Sequence, residues 1–324
     1  MLYFDRTVDF VRALVKDSVS SALTLFKVMI PIVIAIKLLQ EFNLIQYLAM
    51  PLKPVMGLVG LPAEMGLVWA GTLLNTIYAG LIIFISLAKD FPLTQAQATV
   101  LGVLMVMAHA LPLESAISRK AGARFLFQAF IRMAGALLLG MLLNGLYTTT
   151  GMLSAPAAIL FTPEVQTDQS ILAWGMEQAK NFGYIFVVIM TLMALMRLLS
   201  AIGVIDLLNR ILKPILKLIG IGPKASAVTV IGLTVGLTYG SGLIIKEVQS
   251  GSLSKEDVFY SLTLMGMSHA LIEDTFLLLL IGGHISGLLW GRLLFSLFLV
   301  ALLVKVVKYL SDTFCDKYLW SVPR

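Results

Sequence analysis

The sequence has 324 residues, of which 59% are hydrophobic and only 13% are charged. A soluble domain usually carries about 25% charged residues, so this composition excludes a soluble globular protein and requires lipid to solvate the excess apolar surface. The formal net charge of +6 then indicates cationic loops on the cytoplasmic side of a membrane rather than a nucleic-acid partner.

Residues 1–19 combine apolar residues at helical spacing with interspersed charges, which predicts an amphipathic helix lying on the membrane surface. A spanning helix needs roughly 20 apolar residues. Six later segments fit a span, in chain order 20–39, 96–117, 126–146, 184–199, 258–281 and 288–307.

Two kinds of segment lie between these spans. Segments 42–59 and 204–219 are amphipathic and carry a Lys-Pro pair, which predicts interfacial helices. Segments 63–88 and 225–245 are apolar with a polar, Gly-rich middle, so each is expected to be interrupted near its centre.

The two halves of the chain match at an offset of about 160 residues. Thr94 and Ser254 occupy matching positions and each predicts the N-cap of the helix that follows. The sharpest match is segment 109–115 against segment 269–275, because both begin with the rare residue His. The predicted organisation is a surface helix 1–19, repeat 1 at 20–148, an external loop 149–178, repeat 2 at 179–308 and a cytoplasmic tail 309–324.

Charge bias predicts how the Gly-rich segments sit in the membrane. If both turn back as re-entrant hairpins, sixteen loop Lys and Arg residues share one face, and only five lie on the other: Lys37, Lys53, Lys89, Lys180 and Arg292. Cationic loops stay in the cytoplasm. The expected fold is therefore an all-α polytopic membrane protein of two inverted repeats, each with three transmembrane helices, an interfacial helix and a re-entrant hairpin.

The hairpin middles carry candidate ligands for a bound solute. Irregular backbone at membrane depth persists only where protein or water satisfies its polar groups, and discontinuous helices in inverted repeats are typical of transporter sites. Tight helix packing by small residues is the structural alternative. The predicted substrate-binding residues here are Asn75, Thr76 and Tyr78 in repeat 1 and Thr238, Tyr239 and Ser241 in repeat 2.

The His-bearing spans carry the most informative residues. Ionisable groups at mid-membrane depth are costly and normally face a cavity or a partner. Pro112 predicts a break just past His109, whereas in the second copy His269 and Glu273 are expected to share a helical face and a hydrogen bond. The candidates, for a polar substrate, a relayed proton or a metal ion, are His109, Glu114, Ser115, His269, Glu273, Asp274 and Thr275.

The remaining features indicate a structural role for one arginine and no recognisable enzyme motif. Arg132 lies within a span and is expected to snorkel or pair with a carboxylate. The sequence contains no G-x-x-x-x-G-K-[ST], H-E-x-x-H or G-x-S-x-G motif and no Cys cluster, so neither enzyme activity nor a resident cofactor is predicted.

The doubled order of span, Lys-Pro helix, Gly-rich hairpin and broken His-bearing helix resembles the nucleoside-recognition, or Gate-domain, membrane proteins. These include spore maturation proteins A and B, the membrane domain of ferrous iron transporter B and the core of concentrative nucleoside transporters. In nucleoside transporters, hairpin tips and broken helices bind the substrate and the coupling cation. The resemblance implies such roles for Asn75, Thr76, the segment 109–115, the segment 238–241 and the segment 269–275.

The leading hypothesis is a secondary transporter of a small polar solute, nucleoside-like in the first instance, coupled to H⁺ or Na⁺. The alternatives are a divalent-metal permease, whose candidate ligands are His109, Glu114, His269, Glu273 and Asp274, and a non-transporting accessory membrane protein. The expected location is the bacterial inner membrane with both termini in the cytoplasm. The expected partners are lipid and a small polar solute or ion, with room for a homo-oligomer.

Overall fold

A computed structural model describes residues 2–160, 170–249 and 253–320, and the regular elements in these ranges are helices. The helices of repeat 1 and its leading segment are α1 (Leu2–Glu41), α2 (Ile45–Ala49), α3 (Lys53–Leu58), α4 (Met65–Leu74), α5 (Ile77–Leu87), α6 (Gln95–Met107), α7 (Leu111–Lys120) and α8 (Phe125–Thr150). Those of repeat 2 and the tail are α9 (Ile171–Ala201), α10 (Val204–Leu218), α11 (Pro223–Val235), α12 (Leu237–Gln249), α13 (Lys255–Ser268), α14 (Glu273–Leu279), α15 (Arg292–Val307) and α16 (Asp312–Tyr318).

Six helical stretches in the described part of the chain are long and apolar enough to cross a membrane. The two that contain α6–α7 and α13–α14 are the most enclosed, with 78% and 72% of their apolar windows buried in protein, whereas α1 and α9 bury only 22% each. The broken helices therefore form the centre of the bundle, and α1 and α9 present most of their apolar surface to lipid. The all-α polytopic membrane fold predicted from composition is confirmed.

The N-terminal region differs from its prediction. Residues 2–41 form one continuous helix, so the segment expected to lie on the membrane surface continues directly into the first span. Beyond it, the predicted interfacial segment of repeat 1 is split into α2, a 3₁₀ turn at Met50–Leu52 and α3, whereas its counterpart in repeat 2 is the single helix α10.

The Gly-rich segment of repeat 1 folds back on itself. Helices α4 and α5 have 10 and 11 residues, hence lengths of about 15–17 Å, too short for a hydrocarbon core of about 30 Å. They pack together so closely that a Cβ on Gly80 would collide with the Thr72 hydroxyl. At the turn between them, Thr76 caps α5 by accepting a hydrogen bond from the Ala79 N–H.

The hairpin of repeat 2 has its turn earlier than the sequence suggested. Helices α11 and α12 meet at Gly236, whose φ of +119° favours glycine. Segment 238–241, predicted to form the tip, lies inside α12 instead, and the side chains of Thr238, Tyr239 and Ser241 are outside the described residues. Gly240 lets the two arms approach, because a Cβ there would lie 2.5 Å from the Gly232 Cα.

The central helices are interrupted at matching positions. α6 ends at Met107 and α7 begins at Leu111, while α13 ends at Ser268 and α14 begins at Glu273. Ala110 and Ala270, 160 residues apart, both adopt the left-handed conformation, with φ of 44° and 45°. Thr94 and Ser254 cap α6 and α13 as predicted, each accepting a hydrogen bond from a backbone N–H of the first turn.

The connecting segments pack against the helices. Residues after α8 lie along the start of α6, where the Gln95 N–H donates to the Ala155 carbonyl at 2.8 Å and the Ala157 N–H donates to the Leu93 carbonyl at 2.9 Å. The tail helix α16 is held to the start of α8, because Arg124 donates through Nε to the Trp320 carbonyl at 3.0 Å.

Candidate functional site

The two predicted histidines meet at the centre of the bundle. His109, just after α6, and His269, just after α13, place their Nε2 atoms 2.9 Å apart, with ring centroids separated by 4.8 Å. Both residues are buried. Each histidine comes from a different repeat, so the contact lies between the two halves of the chain.

The other ring nitrogen of each histidine has a backbone partner. His109 Nδ1 lies 3.2 Å from the Met105 carbonyl oxygen, and His269 Nδ1 lies 2.8 Å from the Met265 carbonyl oxygen. Because a carbonyl oxygen only accepts, Nδ1 carries the hydrogen in both rings. In the neutral imidazoles both Nε2 atoms are therefore acceptors, and their lone pairs face each other.

Glu114 closes the group from the first turn of α7. Its Oε1 lies 3.3 Å from His109 Nε2 and 3.3 Å from His269 Nε2. Its Oε2 forms an ion pair with Arg132 Nη1 at 2.6 Å. A buried carboxylate needs such a partner, and Arg132 leaves the other oxygen free to face the imidazoles.

Arg132 also stabilises the interruption between α6 and α7. It is 1% exposed and donates through Nε to the Met107 carbonyl at 3.1 Å and through Nη2 to the His109 carbonyl at 2.9 Å. The break frees these carbonyls from helical hydrogen bonds, and in a membrane they need other donors. The prediction that Arg132 pairs with a carboxylate is confirmed, and snorkelling is not observed.

Arg292 occupies the matching place in repeat 2, which corrects its predicted position in an external loop. It is 0% exposed, with Nη2 donating to the Leu271 carbonyl at 3.2 Å and Nη1 lying 3.6 Å from Asp274 Oδ2. The external-loop prediction was wrong: a turn of π-helix at Ser286–Gly291 leads directly into α15, and Arg292 lies within this helix, inside the predicted span 288–307.

Glu273 does not pair with His269, contrary to the sequence prediction. The three residues between them do not form a helical turn, since α13 ends at Ser268 and α14 begins at Glu273. Asp274 matches Glu114 at the 160-residue offset. It offers an oxygen to a buried group with His109 and His269, whose donor atoms lie within 4.8 Å of one another.

A cavity of about 810 Å³ opens beside the histidines and contains the hairpin turns of both repeats. Several predicted binding residues line it: Thr76, Tyr78, His109, Glu114, His269, Glu273 and Asp274. Gly236 and Gly242 of the second hairpin also line it, so repeat 1 and repeat 2 both contribute to its walls. Leu25 of α1 completes the boundary on one side.

The remaining predicted residues lie elsewhere. Asn75 sits at the first hairpin turn but does not line the cavity. Ser115 is buried behind Glu114 with its hydroxyl oxygen unpaired among the described residues. Thr275 donates its hydroxyl back to the Leu271 carbonyl at 2.7 Å, which is a helix-stabilising role at the second break.

A second cavity, also about 810 Å³, lies between the end of α1, the end of α5 and the start of α9. Its lining is charged and polar and includes Lys37, Glu41, Lys89, Asp90 and Glu177. None of the predicted binding residues whose side chains are described lines it, so the histidine cavity is the stronger candidate for a specific site.

The matched roles of Arg132 and Arg292 were not predicted from the sequence. Arg132 lies 23 positions after His109, whose carbonyl it binds, and Arg292 lies 21 positions after Leu271, whose carbonyl it binds. The two arginines are separated by the same offset as the two histidines. An arginine recurring at the repeat offset inside two otherwise apolar segments was the available signal, because an intramembrane charge usually marks a partner.

Six apolar helices and a buried polar group between two interrupted helices define a polytopic membrane protein with a transporter-like core. Residues 182–284, which include His269 and the second hairpin, match the family model Gate, described as nucleoside recognition. This match confirms, for residues 182–284, the resemblance to Gate-domain membrane proteins that the sequence indicated. It is 29% identical over 274 residues to the uncharacterized membrane protein YvoD of Bacillus subtilis strain 168, covering 83% of this chain and 86% of that protein. No solved structure matches the chain.

Proposed function

We propose that this protein is a secondary transporter of a small polar solute, with a nucleoside as the first candidate, coupled to a cation or proton gradient. The observation that carries the proposal is the cavity of about 810 Å³ lined by hairpin turns and broken-helix ends from both repeats. Its size lies within the range of small-molecule sites, about 300–1,000 Å³. The match to a family described as nucleoside recognition supports the choice of solute.

The arrangement supplies what alternating access requires. Interrupted helices near the midplane, contributed by two repeats, expose backbone and side-chain ligands to a solute held between them. The histidine contact bridges the repeats, so movement of one repeat against the other must break or reform it. An ion bound at a contact that differs between the two states stabilises one state over the other.

Uptake into proteoliposomes tests the proposal. Vesicles containing the full chain, loaded to give an inward H⁺ or Na⁺ gradient, are expected to accumulate radiolabelled uridine above protein-free vesicles. His109→Ala and His269→Ala should each reduce uptake far more than His284→Ala, the matched control, because His284 bonds Ser286 instead of the cavity group. Equal uptake by all three variants, or no uptake of any nucleoside with either gradient, would refute the proposal.

We further propose that both termini lie in the cytoplasm and that the first hairpin enters from the opposite face. In a chain with Cys315 replaced by Ser, single cysteines at exposed positions 53 and 89, one on each side of the first hairpin, should react with an impermeant maleimide from outside. A cysteine at exposed position 120 should react only after permeabilisation. Reaction of positions 53 and 89 from opposite faces would show that the segment crosses the membrane.

A further inference from the structure

We infer that His109, His269 and Glu114 form a binding site for one divalent transition-metal cation. This inference goes beyond the proposed transport of a polar solute, because it assigns an ion to the contact between the repeats whichever solute the cavity takes. It rests on the arrangement of three donor atoms and on the groups that hold them.

The three donor atoms are spaced as ligands of one ion. The two Nε2 atoms are 2.9 Å apart, and Glu114 Oε1 is 3.3 Å from each of them. Zinc-like ions bind imidazole nitrogen and carboxylate oxygen at about 2.0–2.2 Å. An ion at that distance from all three atoms fits just outside the plane that they define.

With both imidazoles neutral, no hydrogen lies between the converging atoms. Both imidazoles carry their hydrogen on Nδ1, bound to the Met105 and Met265 carbonyls, so both Nε2 atoms and the carboxylate oxygen are acceptors. A single shared proton between the two nitrogens would leave Glu114 Oε1 facing both rings with no hydrogen to accept. One cation satisfies all three lone pairs together.

The surrounding contacts are those of a prepared metal site. Metal-binding histidines usually donate their second ring N–H to a carbonyl or carboxylate, and metal-binding carboxylates are themselves held by a second partner. Both histidines meet the first condition, and Glu114 meets the second through its 2.6 Å ion pair with Arg132. The donors are therefore oriented before any ion arrives.

The donor set selects the class of ion. Two imidazoles and one carboxylate suit zinc, cobalt, nickel or iron(II), whereas magnesium and calcium prefer all-oxygen surroundings. Three protein ligands leave a fourth position open, and all three residues line the cavity. Asp274, whose oxygen lies within 4.8 Å of both imidazole donors, can fill it, and so can water or a donor atom of a solute.

Metal titration of the purified full chain tests the site. The protein, freed of any polyhistidine tag and treated with chelator, is titrated with Co²⁺, whose visible absorption reports tetrahedral coordination, and with Zn²⁺ by calorimetry. We expect one ion per chain, no competition by Mg²⁺ or Ca²⁺, and an affinity at least about 10–100-fold weaker in His109→Ala, His269→Ala and Glu114→Gln. His284→Ala should bind as the wild type does.

Absence of stoichiometric binding, or binding that persists in the His109→Ala/His269→Ala double variant, would overturn the inference. Where an alanine variant fails to fold, X-ray absorption of the zinc-loaded wild type decides, because a spectrum without two imidazole ligands also overturns it. Uridine uptake in chelator-treated vesicles separates the two proposals. Uptake without a metal site would remove only this inference, and a metal site without uptake would remove only the proposed transport.

Discussion

The two helix interruptions, α6–α7 and α13–α14, have similar backbone conformations. They differ in how tightly an arginine holds the nearby carboxylate. Both place alanine in the left-handed conformation, both direct a histidine Nδ1 to a methionine carbonyl, and both receive a buried arginine. In repeat 1 the Arg132–Glu114 pair closes to 2.6 Å, whereas in repeat 2 the Arg292–Asp274 pair stays at 3.6 Å.

The difference follows from one methylene group. Asp274 has a shorter side chain than Glu114 at the matching position, so its carboxylate does not reach the facing imidazoles and arginine as closely. The comparison shows that one repeat holds its carboxylate in place while the other leaves it less tightly held beside the same histidine pair.

The largest effect should come from removing the arginines. Arg132→Ala leaves Glu114 buried without its cation and frees the Met107 and His109 carbonyls, so it should lower the free energy of unfolding by about 3–5 kcal/mol. Arg292→Ala should cost less, about 1–3 kcal/mol, because its ion pair is longer. Thermal unfolding in detergent measures both. A larger loss for Arg292→Ala would reverse the comparison between the repeats.

A smaller effect should appear in the coupling between each arginine and its carboxylate. Double-mutant cycles isolate that coupling, which for residues in contact ranges over about 0.5–3 kcal/mol. The cycle with Arg132→Ala and Glu114→Ala should fall at the upper end, and the cycle with Arg292→Ala and Asp274→Ala at the lower end. Equal couplings would show that the 1.0 Å difference between the 2.6 Å and 3.6 Å pairs has no energetic meaning.

The left-handed alanines should give gains of similar size in both repeats. Glycine at position 110 or 270 relieves the contact of Cβ with the following carbonyl, so each substitution should raise the free energy of unfolding by about 0.5–1 kcal/mol. Ala108, with φ of −137°, is the matched control, and Ala108→Gly should lower stability. A loss of stability in Ala110→Gly or Ala270→Gly would show that neither position stores backbone strain.

The smallest effect should come from Pro112. Ile272 occupies the matching position in repeat 2, and the helix is interrupted there too. Pro112→Ile should therefore preserve the break and change the melting temperature by no more than about 2–4 °C. Large destabilisation, or loss of uridine uptake, would show that proline, rather than arginine and histidine contacts, maintains the break in repeat 1.

Sequence predicted the class of fold well because membrane solvation imposes a strong pattern. Runs of apolar residues give the six spans, and matching histidines point to the central helices. Helix caps at Thr94 and Ser254 were also recognisable, since capping is a local hydrogen bond.

Contacts between residues far apart in the chain could not be predicted as well from the sequence. Pro112 indicated one break, but the break in repeat 2 depends on Arg292 donating to the Leu271 carbonyl and on the His269–His109 contact. No local pattern shows which carbonyl an arginine reaches 21 residues away. The same limit explains the error on Glu273, whose expected partner required an uninterrupted helix.

The pairing of Glu114 with Arg132 inside one repeat matters during synthesis, when the first half of the chain is made before the second. His109 waits for a partner 160 residues further along the chain, which at about 5–20 residues per second means roughly 10–30 s of synthesis. During that interval Glu114 already has Arg132 from its own repeat, so this carboxylate does not wait for the second half to gain a cationic partner. The His109–His269 contact is the part of this group that the second half of the chain completes.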